Sequence, residues 1–155
     1  MLIPASPQEE QVSTTDTGTL RARREAIVKA HIRAEAVDHD VAAALATFRH
    51  PQYDVPALGG VVDAAAGVDG LLHALLGAFP DFWLREGAYR HSDDAVIVEC
   101  VFGGTQRGVW AGVAPTGRPM EVAAALFFLF EHDGLVCERV YFDHATVLRQ
   151  LGVGS

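Results

Sequence analysis

The hydrophobic pattern of this chain changes its period at Pro80, and that change constrains the fold more than any other feature. Before it, Val68, Leu71, Leu72, Leu75, Leu76 and Phe79 recur at helical spacing, and Pro80 ends the run because it cannot continue a helix. After it, residues 81–90, 95–106, 119–131 and 135–143 form four extended segments. Ser92-Asp93-Asp94 and His132-Asp133-Gly134 read as hairpin-type turns between them. Helices followed by long antiparallel strands predict an α+β architecture with the helices packed on one face of the sheet. Strands of this length curl, with Gly103-Gly104 as a bend point, and a curved antiparallel sheet wrapped around N-terminal helices is a cone-shaped cup.

Residues 1–18 are rich in Ser, Thr, Pro, Gln and Glu, lack periodicity, and read as a flexible leader; residues 19–155 read as a single domain. A helix is predicted over 19–37, where Leu20, Ile27, His31 and Ala34 recur at helical spacing. His31 thus falls on the apolar side, as a hydrogen-bonded core histidine or as a pocket-lining group. Asp40 is placed to cap a short second helix over 41–48. The prolines of Arg49-His50-Pro51-Gln52-Tyr53-Asp54-Val55-Pro56 force extended or turn geometry on their predecessors, which keeps His50 and Asp54 off a helix. His, Tyr and Asp so close together suit a pocket wall as well as a solvated loop. His73 falls off the apolar face of the third helix and reads as solvent-facing.

Charge and composition narrow the function. A net charge of -8 argues against a nucleic-acid or membrane-surface role, both of which want a basic patch. The most apolar segment, 122–130, is too short to cross a bilayer, and the N-terminus lacks the basic and apolar regions of a secretory signal, so a cytoplasmic protein is expected. Cys100 and Cys137 lie inside predicted strands without metal-ligand spacing and read as small buried hydrophobes. No phosphate loop, Cys/His metal cluster or Ser-centred elbow is present in the sequence, so neither metal nor cofactor is expected.

The last strand draws most attention. Alternation puts Cys137, Arg139, Tyr141 and Asp143 on one face and Val136, Glu138, Val140 and Phe142 on the other. Asp143 stands where the strand gives way to a short helix closed by Gly152, so it is either that helix's N-cap or a general base at the mouth of a pocket.

Phe79-Pro80-Asp81-Phe82, Gly104-Thr105-Gln106-Arg107-Gly108-Val109-Trp110, Ala114-Pro115-Thr116-Gly117-Arg118, Glu138-Arg139-Val140-Tyr141-Phe142-Asp143 and Leu148-Arg149-Gln150-Leu151-Gly152 together resemble the SnoaL-like polyketide cyclase family. That family belongs to the superfamily of nuclear transport factor 2, ketosteroid isomerase and scytalone dehydratase, and the resemblance runs over about residues 20–152. It implies that Asp143 matches the acidic general base, which removes a proton from a carbon between carbonyls so that the enolate closes a ring by intramolecular aldol addition. It also places Gln106 and Tyr141 where relatives carry histidines. On this basis Asp143 is expected to be buried at a pocket within reach of Tyr141 or His50, with His50 and Tyr141 polarising the substrate. Tyr53, Gln106, His31 and Trp110 are expected to line the pocket.

The expected partner is a small hydrophobic or polyketide-like molecule. A homodimer is expected from the strand 119–131, apolar on both faces, because one layer of helices covers only one of them. Two alternatives remain: a non-catalytic ligand-binding or dimerisation protein of the same fold, and a hydrolase or dehydratase in which Asp143 activates water with Glu99 or Asp54 as second carboxylate.

Overall fold

The computed structural model describes residues 7–154, with side chains from residue 17 onward. In chain order the elements are α1 (Pro7–Ala36), α2 (Val41–Ala46), β1 (Gln52–Val55), a 3-10 turn (Pro56–Leu58), β2 (Gly60–Asp63), α3 (Ala64–Ala78), β3 (Trp83–His91), β4 (Ala95–Thr105), β5 (Pro119–Glu131), β6 (Gly134–Phe142) and α4 (His144–Gln150). The first six residues of the expected leader lie outside the described residues, and from Pro7 the backbone is already helical. The helix thus opens twelve residues ahead of the predicted start at 19, on a proline whose fixed φ suits a helix's first turn.

Helical and strand periods meet at Pro80 as the sequence predicts, and α3 ends where Phe79 N–H closes on the Leu75 carbonyl at 2.8 Å. The four long strands form an antiparallel run, extended by a pair the sequence did not suggest. The sheet order is β2-β1-β6-β5-β4-β3, with β1 antiparallel to β2 and parallel to β6. Both strands have four residues, too few alternating positions to read as strands, and β1 is bracketed by Pro51 and Pro56. Their consequence is large: the β1–β6 register places Tyr53 beside Glu138, and the β5–β6 register places Phe128 on the other side of Glu138.

Curvature enters through a bulge in β3 between Glu86 and Tyr89 and one in β6, where Val136 is the extra residue opposite Leu129 and Phe130. At Gly87 a Cβ would come within 2.6 Å of the Glu99 carbonyl, so only glycine lets the bulged backbone approach its neighbour. The predicted bend at Gly103-Gly104 is instead a point of close packing: a Cβ on Gly103 would meet the Trp83 ring at 2.6 Å.

Helices α1, α2 and α3 close over the concave face. Val28, His31, Ile32 and Ala36 of α1 face inward, as do Val68 and Leu72 of α3. The buried stripe of α1 also includes Arg24, whose guanidinium bonds the His132 and Asp93 carbonyls at 2.6 and 2.9 Å. One core cluster gathers Val28, Val68, Leu72, Val96, Val98, Phe128 and Leu135; a second gathers Ala78, Phe79, Val147 and Leu151. Burial of a side chain such as Phe128 or Leu72 contributes about 1.5–3 kcal/mol. Cys100 and Cys137 are buried and unpaired. No helix among the described residues is long and apolar enough to cross a membrane.

Candidate active site

Between the two clusters lies a cup whose walls are apolar: Ile32, Leu71, Leu75, Phe102, Trp110 and Phe142 are among them, and Glu35, Tyr53 and Glu138 are its polar members. Three elements deliver the polar floor. Residues His31 and Glu35 stand one helical turn apart on α1, Tyr53 comes from β1 and Glu138 from the inner face of β6. Tyr53 Oη donates to Glu35 Oε2 at 2.7 Å, and His31 Nε2 donates to Tyr53 Oη at 2.8 Å with Glu35 Oε2 at 3.1 Å. Glu138 Oε2 lies 2.9 Å from the same Nε2 but off the N–H direction, so the pair is a charge contact and this oxygen accepts no hydrogen bond. Edge-to-face rings of Phe48 and Phe128, with centroids 5.2 and 5.7 Å away, box in the imidazole.

Charge in a dry site governs this cluster. Burial alone would lower the His31 pKa, but the Glu138 carboxylate, with Glu35 behind it, outweighs burial and raises it to about 10, so the ring is an imidazolium at neutral pH. Burial also raises the Glu138 pKa, the negative charge of Glu35 raises it further, and His31 works in the opposite direction. Tyr53 is held well above an ordinary phenol by burial and by the two carboxylates, so it remains a donor. His31 Nε2 and the two carboxylates lie within 4.8 Å of one another, a spread that one divalent cation could bridge. The same closeness suits proton transfer among the three groups.

The residues singled out in the sequence fall in different places. Tyr53 and Trp110 line the cup, Trp110 edge-on to Phe79 at 5.6 Å, and His31 lies beneath the floor, fully buried. Gln106 is buried away from it: its amide donates to the Gly108 and Val113 carbonyls and accepts from Thr116 N and Oγ1, which ties up the loop before β5. His50 is exposed and pairs with Asp63 at 2.8 Å. Tyr141 is 46% exposed and stacks edge-to-face on Phe127, on the outer face of the sheet.

Asp143 is not buried at a pocket and has neither Tyr141 nor His50 as partner. It caps α4, accepting from Ala145 N at 3.0 Å, Thr146 N at 3.3 Å and Thr146 Oγ1 at 2.6 Å, with 61% of its side chain exposed. Those bonds, from Thr146 first, hold its pKa below the usual carboxylate value. The two proposed helpers of Asp143 are engaged elsewhere, Asp54 with Arg139 at 2.8 Å and Glu99 with Arg90 at 3.1 Å. The inversion has one cause: on β6 the polar face turns outward and the face of Glu138, Val140 and Phe142 turns into the cup. Glu138 and Glu35 were the residues the sequence reading passed over. A single acid on an otherwise apolar strand face, and a His-Glu pair one helical turn apart, were the available signals.

The family description "SnoaL-like polyketide cyclase" matches residues 27–151. The chain belongs to the SnoaL-like polyketide cyclase family. No curated protein matches it in sequence. Among solved structures it is similar to a phenazine biosynthesis-related protein of Pseudomonas aeruginosa, with TM-score 0.76, 16% identity, and coverage of 92% of this chain and 93% of that one. TsrD of Streptomyces laurentii gives 0.74 and 22%, covering 86% and 98%. A protein of Catenulispora acidiphila with a ketosteroid isomerase-like fold, solved with trimethylamine, gives 0.69 and 19%, covering 83% and 93%. These likenesses show the fold: the SnoaL-like cup is of the ketosteroid isomerase-like type, in which α1 supplies His31 and Glu35 and the last strand supplies Glu138.

Proposed function

We propose that this SnoaL-like protein is a lyase or isomerase of the cyclase type, acting on a small apolar carbonyl compound by proton abstraction at Glu138. The observation that carries the reading is a carboxylate with one oxygen free of hydrogen bonds, buried at the floor of an apolar cup beside a phenol and an imidazolium. Desolvation makes Glu138 a stronger base than a surface carboxylate. A carbon flanked by carbonyls is acidic enough for such a base. Its proton moves to Glu138, the electron pair moves into the enolate, and the Tyr53 hydroxyl turns its one hydrogen from Glu35, which keeps His31 Nε2–H, to the enolate oxygen. The His31 imidazolium, 2.8 Å from Tyr53 Oη and 2.9 Å from Glu138, offsets the charge that develops there. The enolate then adds to a second carbonyl of the same molecule or is reprotonated at another carbon, with Glu138 returning the proton in either case.

The walls favour an uncharged ligand, because an anionic one would meet Glu35 and Glu138 with no cationic side chain among the lining residues. A panel of cyclisable polycarbonyl compounds tests the reading: the wild-type protein should turn one over, and Glu138→Gln should bind it without turnover. Binding without turnover by the wild-type protein would favour the non-catalytic alternative. We also infer a homodimer through the outer sheet face around Phe127 and Tyr141, whose rings meet there at 5.6 Å. Light scattering at micromolar concentration should give twice the chain mass, and a monomer mass would remove that inference.

A further inference from the structure

The orientation of the His31 ring is set from outside the cup. Its second nitrogen, Nδ1, lies 2.8 Å from Thr47 Oγ1 at the C-cap of α2. A hydroxyl has one hydrogen to donate, and that of Thr47 is given to the Ala44 carbonyl at 2.6 Å. Thr47 Oγ1 can therefore only accept from the ring, and Nδ1 carries a hydrogen whether the imidazole is charged or neutral. The hydrogen that comes and goes is then the one on Nε2, among Tyr53 Oη at 2.8 Å, Glu138 at 2.9 Å and Glu35 at 3.1 Å.

We propose that Thr47 is the positioning residue of the cup floor, holding His31 in the one tautomer and ring orientation in which its exchangeable proton faces Glu35, Tyr53 and Glu138. The catalytic meaning rests on the acid–base reading above, whereas the ring geometry stands apart from it. Among the described residues, the groups that bond, pair or stack with the imidazole are Glu35 from α1, Tyr53 from β1, Glu138 from β6, uncharged Thr47, and the rings of Phe48, Tyr53 and Phe128. Thr47 is the one partner of Nδ1 among them. The opposite neutral tautomer would present a bare Nδ1 to a hydroxyl whose own hydrogen is committed to Ala44, leaving two acceptors face to face, whereas a bare Nε2 can accept the Tyr53 hydrogen turned from Glu35.

Nitrogen-15 NMR of histidine-labelled protein tests this without a substrate. In the wild-type protein, the His31 ring should become neutral by losing the Nε2 hydrogen and keep Nδ1–H on the alkaline side of its titration. Thr47→Val preserves shape but removes the acceptor of Nδ1–H, so its neutral ring should shift towards the tautomer with hydrogen on Nε2, where Tyr53 Oη and Glu35 accept. Thr47→Ser, which keeps the hydroxyl, should stay near wild type. A neutral wild-type ring with its hydrogen on Nε2, or a neutral Thr47→Val ring that keeps Nδ1–H as fully as wild type, would overturn the proposal. The wild-type tautomer decides the matter even if Thr47→Val does not fold. Turnover by Glu138→Gln tests the acid–base reading separately, so the two can fail independently.

Discussion

Two carboxylates five residues apart, Glu138 and Asp143, meet opposite fates in this molecule. Glu138 is 3% exposed on the concave face of β6, and burial pushes its pKa up. Asp143 projects from the end of the same segment into solvent, and hydrogen bonds from Thr146 and Ala145 pull its pKa down. Carboxylates of similar intrinsic acidity become, in one case, a buried group whose burial favours the proton and, in the other, a helix cap whose hydrogen bonds favour the charge. The comparison shows that strand alternation and the strand's end, rather than residue type, decide which acid can do chemistry.

The largest effect that sharpens this contrast is on turnover. Glu138→Gln should lower kcat by about 10²–10⁴-fold while keeping the fold, and Asp143→Asn, whose amide oxygen still caps α4, should leave kcat unchanged; steady-state kinetics on a responding carbonyl substrate compares them directly. Tyr53→Phe should follow with a smaller loss of about 10–100-fold, felt in kcat more than in KM, because it removes the hydroxyl proposed to turn from Glu35 to the developing charge.

Next comes the pH dependence of stability. His31 has a folded pKa of about 10, above its unfolded value near 6.5, so the stability it contributes is fully present below about 6.5 and is lost as pH rises to about 10. The raised pKa of Glu138 acts with the same sign, since the folded state again holds the proton more tightly. Thermal melts from pH 7 to pH 10 should therefore show a falling Tm, and Glu138→Gln, which removes the charge that holds the His31 proton, should flatten the fall. The smallest effect belongs to the surface: Asp143→Ala should lower Tm measurably through the lost cap, Asp143→Asn less, and His50→Ala, which breaks only an exposed pair with Asp63, should leave Tm unchanged.

The parts of this account that were legible in the sequence are those with long periodic signals. Val68, Leu72 and Phe79 announced α3, Pro80 its end, and the four long strands their own extents to within about two residues. Asp40 was recognisable as the cap of α2, where Ala43 N reaches its carboxylate at 2.9 Å. Tyr53 and His31 could be named because each stood out chemically from its neighbours. The partnership between them was not legible, since it depends on β1, a four-residue strand whose parallel pairing with β6 leaves no local pattern. Asp143 attracted the base assignment because it shares a face with Tyr141, and nothing within the strand itself says which of two alternating faces turns inward. Glu138 disclosed its place only once Phe128, Tyr53 and the α1 pair His31 and Glu35 were assembled around it.

Carbon-13 NMR of the side-chain carboxyl groups, followed from pH 2 to pH 9 in the substrate-free protein, tests the central claim most directly. Glu138 should titrate above the ordinary value of about 4.5 and Asp143 below its ordinary 3.8. A Glu138 that titrates at or below the ordinary glutamate value, or an Asp143 shifted upward instead, would contradict the assignment of the cup's base to Glu138.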